Sequence, residues 1–306
     1  MKTAHDRTLA AAGCILVYAL IIGFTDNYVR VIAESAGLWQ FHATRSAMAL
    51  AVLAGAAAVM GWRLRPRNWR GVIGRSAIHG SGMVIYFGAL AFLPVAQVAA
   101  GLFTAPIFVL LISRLVYGHV IGPVRIAAVG LGFLGVMLVL GPQALSGTSA
   151  AALLPVVAGA FYAMGNIATR EWCAGESAQT MLAGFFAALG LYGLLGMAVL
   201  GLFPQEVPQG AAGFVLRGPA VPQAGFWIWT AVQAVGSLIG VGLMIRGYQL
   251  TEAGRASVFE YVILPASALW GFILWGERLT PVAMLGMAMI AAAGIMIALR
   301  ARQQEV

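Results

Sequence analysis

The sequence predicts an all-α integral membrane protein of ten transmembrane helices, arranged as two inverted five-helix repeats. Three observations carry that prediction. Of the 306 residues, 61% are hydrophobic and 9% charged, whereas a soluble domain carries about a quarter charged residues. The few charges are separated by long charge-free stretches. Finally, residues 88–140 and 247–299 are two versions of one segment. Gly88 lies eighteen residues before Pro106, as Gly247 lies eighteen before Pro265. Further on, YGHVIGP (Tyr117–Pro123) answers WGERLTP (Trp275–Pro281), and LGVMLVL (Leu134–Leu140) answers AGIMIAL (Ala293–Leu299).

A spanning helix needs roughly 20 mostly apolar residues. Taken in order, the charge-free stretches give the following spans. The first, 9–29, follows Lys2 and Arg7 but has full span length and no nearby small-x-small site, so it reads as a helix and not as a signal peptide. The second, 41–62, ends on Arg63, Arg65, Arg67 and Arg70. The third and fourth, 72–92 and 95–116, share one stretch divided at Pro94. The fifth and sixth, 123–141 and 151–170, share another, divided by Gly141-Pro142 through Ser149. The seventh, 179–202, leads into the Pro-, Gly- and Gln-rich segment Pro204–Pro222, a loop without a core of its own. The eighth, ninth and tenth are 223–247, 255–275 and 281–300. Pro106 and Pro265 should kink or break the fourth and ninth spans, because proline removes a backbone donor and clashes with the preceding turn.

The repeat boundary falls near Pro142–Ala150, so the halves are residues 1–141 and 150–300. Five spans in each half force opposite orientations. Tyr18-Ala19 also matches Tyr162-Ala163 at the offset that pairs Thr25 with Thr169. With ten spans both termini share one side. Lys2, Arg7, Arg63, Arg65, Arg67, Arg70, Arg75, Arg114, Arg125, Arg170, Arg246, Arg255, Arg300 and Arg302 fall there, against Arg30, Arg217 and Arg278 on the other. The positive-inside rule makes that side cytoplasmic, in an inner (plasma) membrane. The net charge of +8 is then a basic face against anionic lipid, not a nucleic-acid surface. Cys14 and Cys173 suggest neither a disulfide nor a metal site.

The stretch LPVAQVAAGLFTAPIFVLLISRLVYGHVIGPVRIAAVGLGFLGVMLVLGP, with SVFEYVILPASALWGFILWGERLTP in the second half, resembles the drug/metabolite transporter superfamily in its ten-helix EamA-type branch. The resemblance covers nearly the whole chain. It implies transport of a small metabolite through a cavity lined by the first, third, fourth, sixth, eighth and ninth spans. The family's glycine–glutamate pair after the ninth span is Gly276-Glu277 here, whereas the pair after the fourth reads Gly118-His119, without the glutamate.

Polar side chains deep in a span are costly and so are functional candidates. Glu260 leads, five residues into the ninth span, with Ser257, Leu264, Ser267 and Gly271 near its face. It reads as a binder of a substrate amine or a proton, or as a helix-pairing hydrogen bond. His79 and Tyr86 share a face of the third span with Gly82 and Met83; His79 is also explicable as a solvated cytoplasmic end. Tyr162 and Asn166 lie one turn apart in the sixth span, and Trp229 and Gln233 in the eighth. Asn166 is equally a helix-pairing residue, and Trp229 equally an interfacial one. Asp26 closes the first span and Arg45 begins the second; they read as a gate, with an Asp26–Arg45 pair as one arrangement.

Gly130-Leu131-Gly132-Phe133-Leu134-Gly135 spells G-x-G-x-x-G. A dinucleotide site needs a preceding strand, and inside an apolar span the glycines read as helix packing. HExxH, CxxC and P-loop patterns are absent from the sequence, so no catalytic residue, cofactor or metal is assigned. The expected function is secondary active transport, as exporter or exchanger, of a small amphipathic, amine-bearing metabolite such as an amino acid or derivative. Tyr86, Tyr162, Trp229 and Trp270 would supply aromatic faces for its cation, protons the coupling, and the chain would act as monomer or homodimer. The alternatives are an exchanger of a nucleoside-like metabolite and, from another class, an intramembrane enzyme or lipid-handling protein.

Overall fold

A computed structural model describes residues 4–89, 95–141, 153–277 and 280–303. The expected helix divider at Pro94, the repeat boundary at Pro142–Ala150, and Lys2 and Arg278 lie outside the described residues. The chain is all-α. In order it forms α1 (Ala4–Asp26), α2 (Val29–Ser35), α3 (Leu38–Met60), α4 (Trp69–Ala89), α5 (Val95–Leu102), α6 (Ala105–Leu115), α7 (Pro123–Leu140), α8 (Leu154–Glu171), α9 (Ala178–Leu202), α10 (Ala224–Leu250), α11 (Ala253–Glu260), α12 (Ile263–Trp275) and α13 (Pro281–Gln303). A single 3-10 turn at Gly210–Gly213 interrupts the long loop. Helices dominate because an apolar solvent leaves backbone groups no partners but each other.

Seven helical stretches among the described residues are long and apolar enough to cross a membrane, judged by length and composition. The expected α4 and α8 spans fall short of that measure, and the expected fourth span is split into α5 and α6. The shortfall has a physical source. Arg75 and His79 on α4, and Tyr162, Asn166 and Thr169 on α8, put polar side chains where lipid-facing helices carry aliphatic ones, and all five are buried in the protein.

The fourth and ninth spans are broken, as the prolines suggest. Pro106 is the second residue of α6 and Pro265 the third of α12. In a first turn proline lacks only a donor that would find no partner there, so each proline starts the second piece and the breaks fall just before them. The two glycine motifs end helices. Gly118 and Gly276 have φ of 67° and 68°. The amides of His119 and Glu277 reach back to the carbonyls of Ser113 and Gly271, at 2.9 and 3.3 Å. That closure needs a left-handed residue, which glycine adopts without a Cβ penalty.

Close helix crossings rest on small residues. A Cβ on Gly135 would lie 2.6 Å from the carbonyl oxygen of Gly286, fixing α7 against α13, and Gly132 faces the Tyr261 ring. The G-x-G-x-x-G run is therefore packing surface, although Gly130 has open space around it. α3 crosses α9, α1 crosses α10, and α4 crosses α8. We call the end bearing Arg63–Arg70 the basic end. Not every arginine placed on that side reaches solvent: Arg75 is fully buried, with Nε donating to Thr169 Oγ1 at 3.1 Å. Position near a helix start does not expose a side chain that α8 and α9 cover.

Candidate functional site

Glu260 is the last residue of α11, at the break before α12. It is 5% exposed, and α8 and α10 supply its partners. The Tyr162 hydroxyl donates to Oε1 at 2.8 Å, and the Tyr248 hydroxyl to Oε2 at 2.8 Å. Asn166 Nδ2 lies 3.4 Å from Oε2. Because Tyr162 spends its proton on the carboxylate, Tyr18 is the donor in the 3.3 Å contact between the two hydroxyls. Tyr162 also meets Met244 Sδ at 3.0 Å. Among the described residues every hydrogen bond to the Glu260 side chain thus comes from a neutral group, and the ion pairs do not include it.

His79 lies against this cluster, its ring 4.8 Å from that of Tyr162, with Nδ1 buried and unpaired. The glycine at 165 makes the approach possible, since a Cβ there would stand 2.6 Å from His79 Cβ. Asn166 Oδ1 is likewise buried without a partner.

From Glu260 a cavity of about 720 Å³ runs toward the end opposite the basic one. Glu260, Tyr162, His79, Tyr86, Asp26 and Arg45 line it. Six of the nine expected residues therefore share one cavity. Asn166 joins through Glu260, and Gln233 joins through Asp26 by a 3.0 Å hydrogen bond. Trp229 is not part of the wall: it stacks on Tyr28, centroids 3.4 Å apart. Trp270 also turns away, donating to the Leu20 carbonyl at 2.9 Å. At the open end Arg30 pairs with Glu277 at 3.2 Å and lies 3.8 Å above the Trp275 ring.

The Asp26–Arg45 pair, one arrangement the sequence allowed, is not among the ion pairs of the described residues. Gln233 on α10 takes the Asp26 carboxylate, while Arg45 Nη2 faces His42 Nδ1 at 3.2 Å and its Nε has no hydrogen-bond partner. Arg45 is 4% exposed and sits over the Phe41 ring at 4.9 Å. His79 is 1% exposed, which sets aside the alternative of a solvated cytoplasmic end. Sequence reasoning missed Tyr18, Tyr248 and Met244. Tyr18 had a signal, since its repeat match to Tyr162 marks it as soon as Tyr162 is a candidate. Tyr248 had none beyond its place next to Gly247.

The basic end is closed by contacts between distant segments. Arg125 Nη2 meets Glu252 Oε2 at 2.7 Å, and Trp172 Nε1 donates to the Tyr117 hydroxyl at 2.8 Å. Glu176 Oε1 accepts from the Arg67 and Asn68 amides at 2.7 and 2.6 Å.

Residues 9–141 match the EamA-like transporter family. The chain is similar to a riboflavin transporter of Rhizobium johnstonii, at 28% identity over 75% of this chain and 70% of that one. It is similar to a pseudopaline exporter of Pseudomonas aeruginosa, at 25% identity over 74% and 72%. An uncharacterized transporter of Archaeoglobus fulgidus is 25% identical over 94% and 95%. A crystal structure with a TM-score of 0.76 and 18% identity, spanning 99% of this chain and 100% of that one, has the same fold.

Proposed function

We propose that this chain, which carries an EamA-like transporter domain over residues 9–141, is a secondary active transporter of a small amphipathic, amine-bearing metabolite. The coarse statement stands on the relatives: it is a multi-pass membrane transporter. The finer reading is carried by one observation. Glu260 is a carboxylate inside the helix bundle with neutral donors only, at the closed end of a cavity sized for a small molecule. A substrate cation or a proton completes that arrangement. Tyr162, His79 and Tyr86 bind beside it, Asn166 and Gln233 hold Glu260 and Asp26 in place, and Asp26 with Arg45 gates the open side. Trp229 acts on that gate through Tyr28 instead of touching substrate.

In this reading residues 1–141 and 150–300 are inverted repeats that rock about the site. The packing supports it. Exchanging each span for its counterpart turns the α1–α10 contact into α8–α4, and returns α3–α9 and α7–α13 to themselves. The hydroxyls of Tyr18 and Tyr162, matched by the repeat, meet each other, as counterparts do on a two-fold axis. The broken helices agree as well: α5 is the eight-residue piece entering from the open end, and α11 the eight-residue piece entering from the basic end.

A planar heterocyclic substrate is the second reading. The similarity to a riboflavin transporter and the Phe87, Phe103 and Phe185 side chains in the cavity wall favour it. A thermal-shift screen on purified protein separates the two, because a ligand bound only by the folded state raises its melting temperature. Amines raising it support the first reading; riboflavin-like heterocycles alone raising it replace the first with the second.

The proposed orientation places the termini and the 63–75 segment in the cytoplasm of a cell with this protein in its inner membrane. A single cysteine at Arg65 should resist an impermeant reagent applied to whole cells and react after lysis. Labelling from outside would invert the topology. The closed basic end gives another expectation. Glu252→Gln removes the Arg125 pair, of 14% and 50% exposed side chains, together with the longer 3.8 Å pair to Arg255 of α11; a partly exposed pair of this class contributes about 0.5 kcal/mol. Alkylation of a cysteine placed at the buried Ser257 should then speed up by roughly twofold. An unchanged rate would show that the Arg125–Glu252 pair does not hold this end shut.

A further inference from the structure

The basic end carries a second cavity, separate from the one at Glu260. It has about 450 Å³ and lies between the α3–α4 loop and the start of α9, with Trp62, Arg63, Arg65, Arg67, Glu176 and Thr180 in its wall. The loop is fixed by hydrogen bonds. Besides the two amides on Glu176, Asn68 Nδ2 donates to the Trp172 carbonyl at 3.0 Å, and the Thr180 hydroxyl to the Arg63 carbonyl at 3.3 Å. These bonds engage the backbones of Arg63 and Arg67 and leave the guanidinium groups of Arg63, Arg65 and Arg67 outside every ion pair among the described residues. Glu176 is the one acid in the wall, 5% exposed, with Oε1 already taken by two amide N–H groups.

Three like charges held round one hollow repel each other until an anion enters. The positive-inside rule accounts for arginines on this face; it does not account for three of them in the wall of one cavity whose single acid, Glu176, is engaged by two backbone amides. Guanidinium groups bind phosphate oxygens through two parallel N–H donors, a match that few other anions share. We infer that this cavity is a binding site for a phosphate-ester anion, held by Arg63, Arg65 and Arg67. The phosphate belongs either to the headgroup of an anionic phospholipid or to a free solute. Trp62 in the wall and the 53% exposed Trp69 flank the loop. Tryptophans collect at headgroup depth, and basic pockets beside spans take anionic headgroups, so the lipid is the favoured source.

The test is the melting temperature of the full chain in neutral detergent, titrated with phosphatidylglycerol, phosphatidylcholine or inorganic phosphate. Phosphatidylglycerol should stabilise the protein saturably, and phosphatidylcholine should not. Combining Arg63→Gln, Arg65→Gln and Arg67→Gln should weaken the phosphatidylglycerol response by roughly 100-fold, about fivefold per arginine. Arg70→Gln, in the first turn of α4 and outside the wall, should respond as wild type. If inorganic phosphate stabilises the protein as well as the lipid does, and the triple variant loses both, the site stands and its ligand is a free solute. An undiminished response in the triple variant, or an equal loss in Arg70→Gln, would overturn the site in favour of net surface charge. Should the triple variant not fold, Arg65→Glu alone must weaken binding at least as much as one arginine's share, and unchanged binding overturns the proposal.

Discussion

Glu260→Gln should abolish transport, or free it from pH, in a protein that still folds. The geometry explains why the fold tolerates the exchange. Tyr162 still donates to the amide oxygen of the glutamine. The new amide nitrogen meets the Tyr248 hydroxyl as a donor, and it meets Asn166 once that amide turns its unpaired Oδ1 inward. The stability cost is that of one altered hydrogen bond, about 1 kcal/mol. What the glutamine cannot do is ionise. Uptake with its pH dependence, measured beside the melting temperature for both forms, separates the roles. Unchanged transport with unchanged pH dependence would remove Glu260 from the mechanism. Loss of folding along with transport would make it a structural residue.

Gly193→Ala should damage the fold itself. A Cβ on Gly193 would lie 2.5 Å from the Ala43 amide nitrogen, 2.7 Å from the Trp39 carbonyl oxygen and 2.9 Å from Ala43 Cα. All three are backbone atoms of α3, so no side chain can swing away and the helices must separate. Overpacking of this kind costs about 1–3 kcal/mol. The melting temperature should fall by several degrees, further than for alanine at Gly55 or Gly130, which have open space around them. Equal melting temperatures for the three variants would show that α3 and α9 do not cross closely at this point.

Much of this fold was legible because a membrane simplifies the reading. Runs such as Ser177–Gln205 announce a helix by lacking charge, and the Gly88–Pro106 spacing repeated at Gly247–Pro265 announces two related broken helices. The sequence does not say how a break is placed. Both prolines lie inside the second helical piece, so Glu260 ends up at the mouth of a break and not inside a continuous span. Depth was less legible than identity. Counting from the helix start puts Arg75 and His79 toward the basic end without saying whether they are covered; α8 and α9 cover them, and coverage depends on crossings made by distant glycines such as Gly165. The acid at the centre was readable because a lone carboxylate in an apolar run has no ordinary reason to be there. Its tyrosine partners were not, since Tyr18 and Tyr248 resemble any aromatic on a packed helix until three-dimensional contact shows otherwise.

The proposed alternation of access can be measured with two distances in one sample. Spin labels at Glu34 and Val282 report on the open end of the cavity, and labels at Val120 and Ala174 on the closed basic end. In proteoliposomes, adding the ligand found by the thermal-shift screen should shorten the first distance while lengthening the second, and Glu260→Gln should lose that response to the ligand. Two distances that move in the same direction, or stay fixed while transport proceeds, would contradict the account.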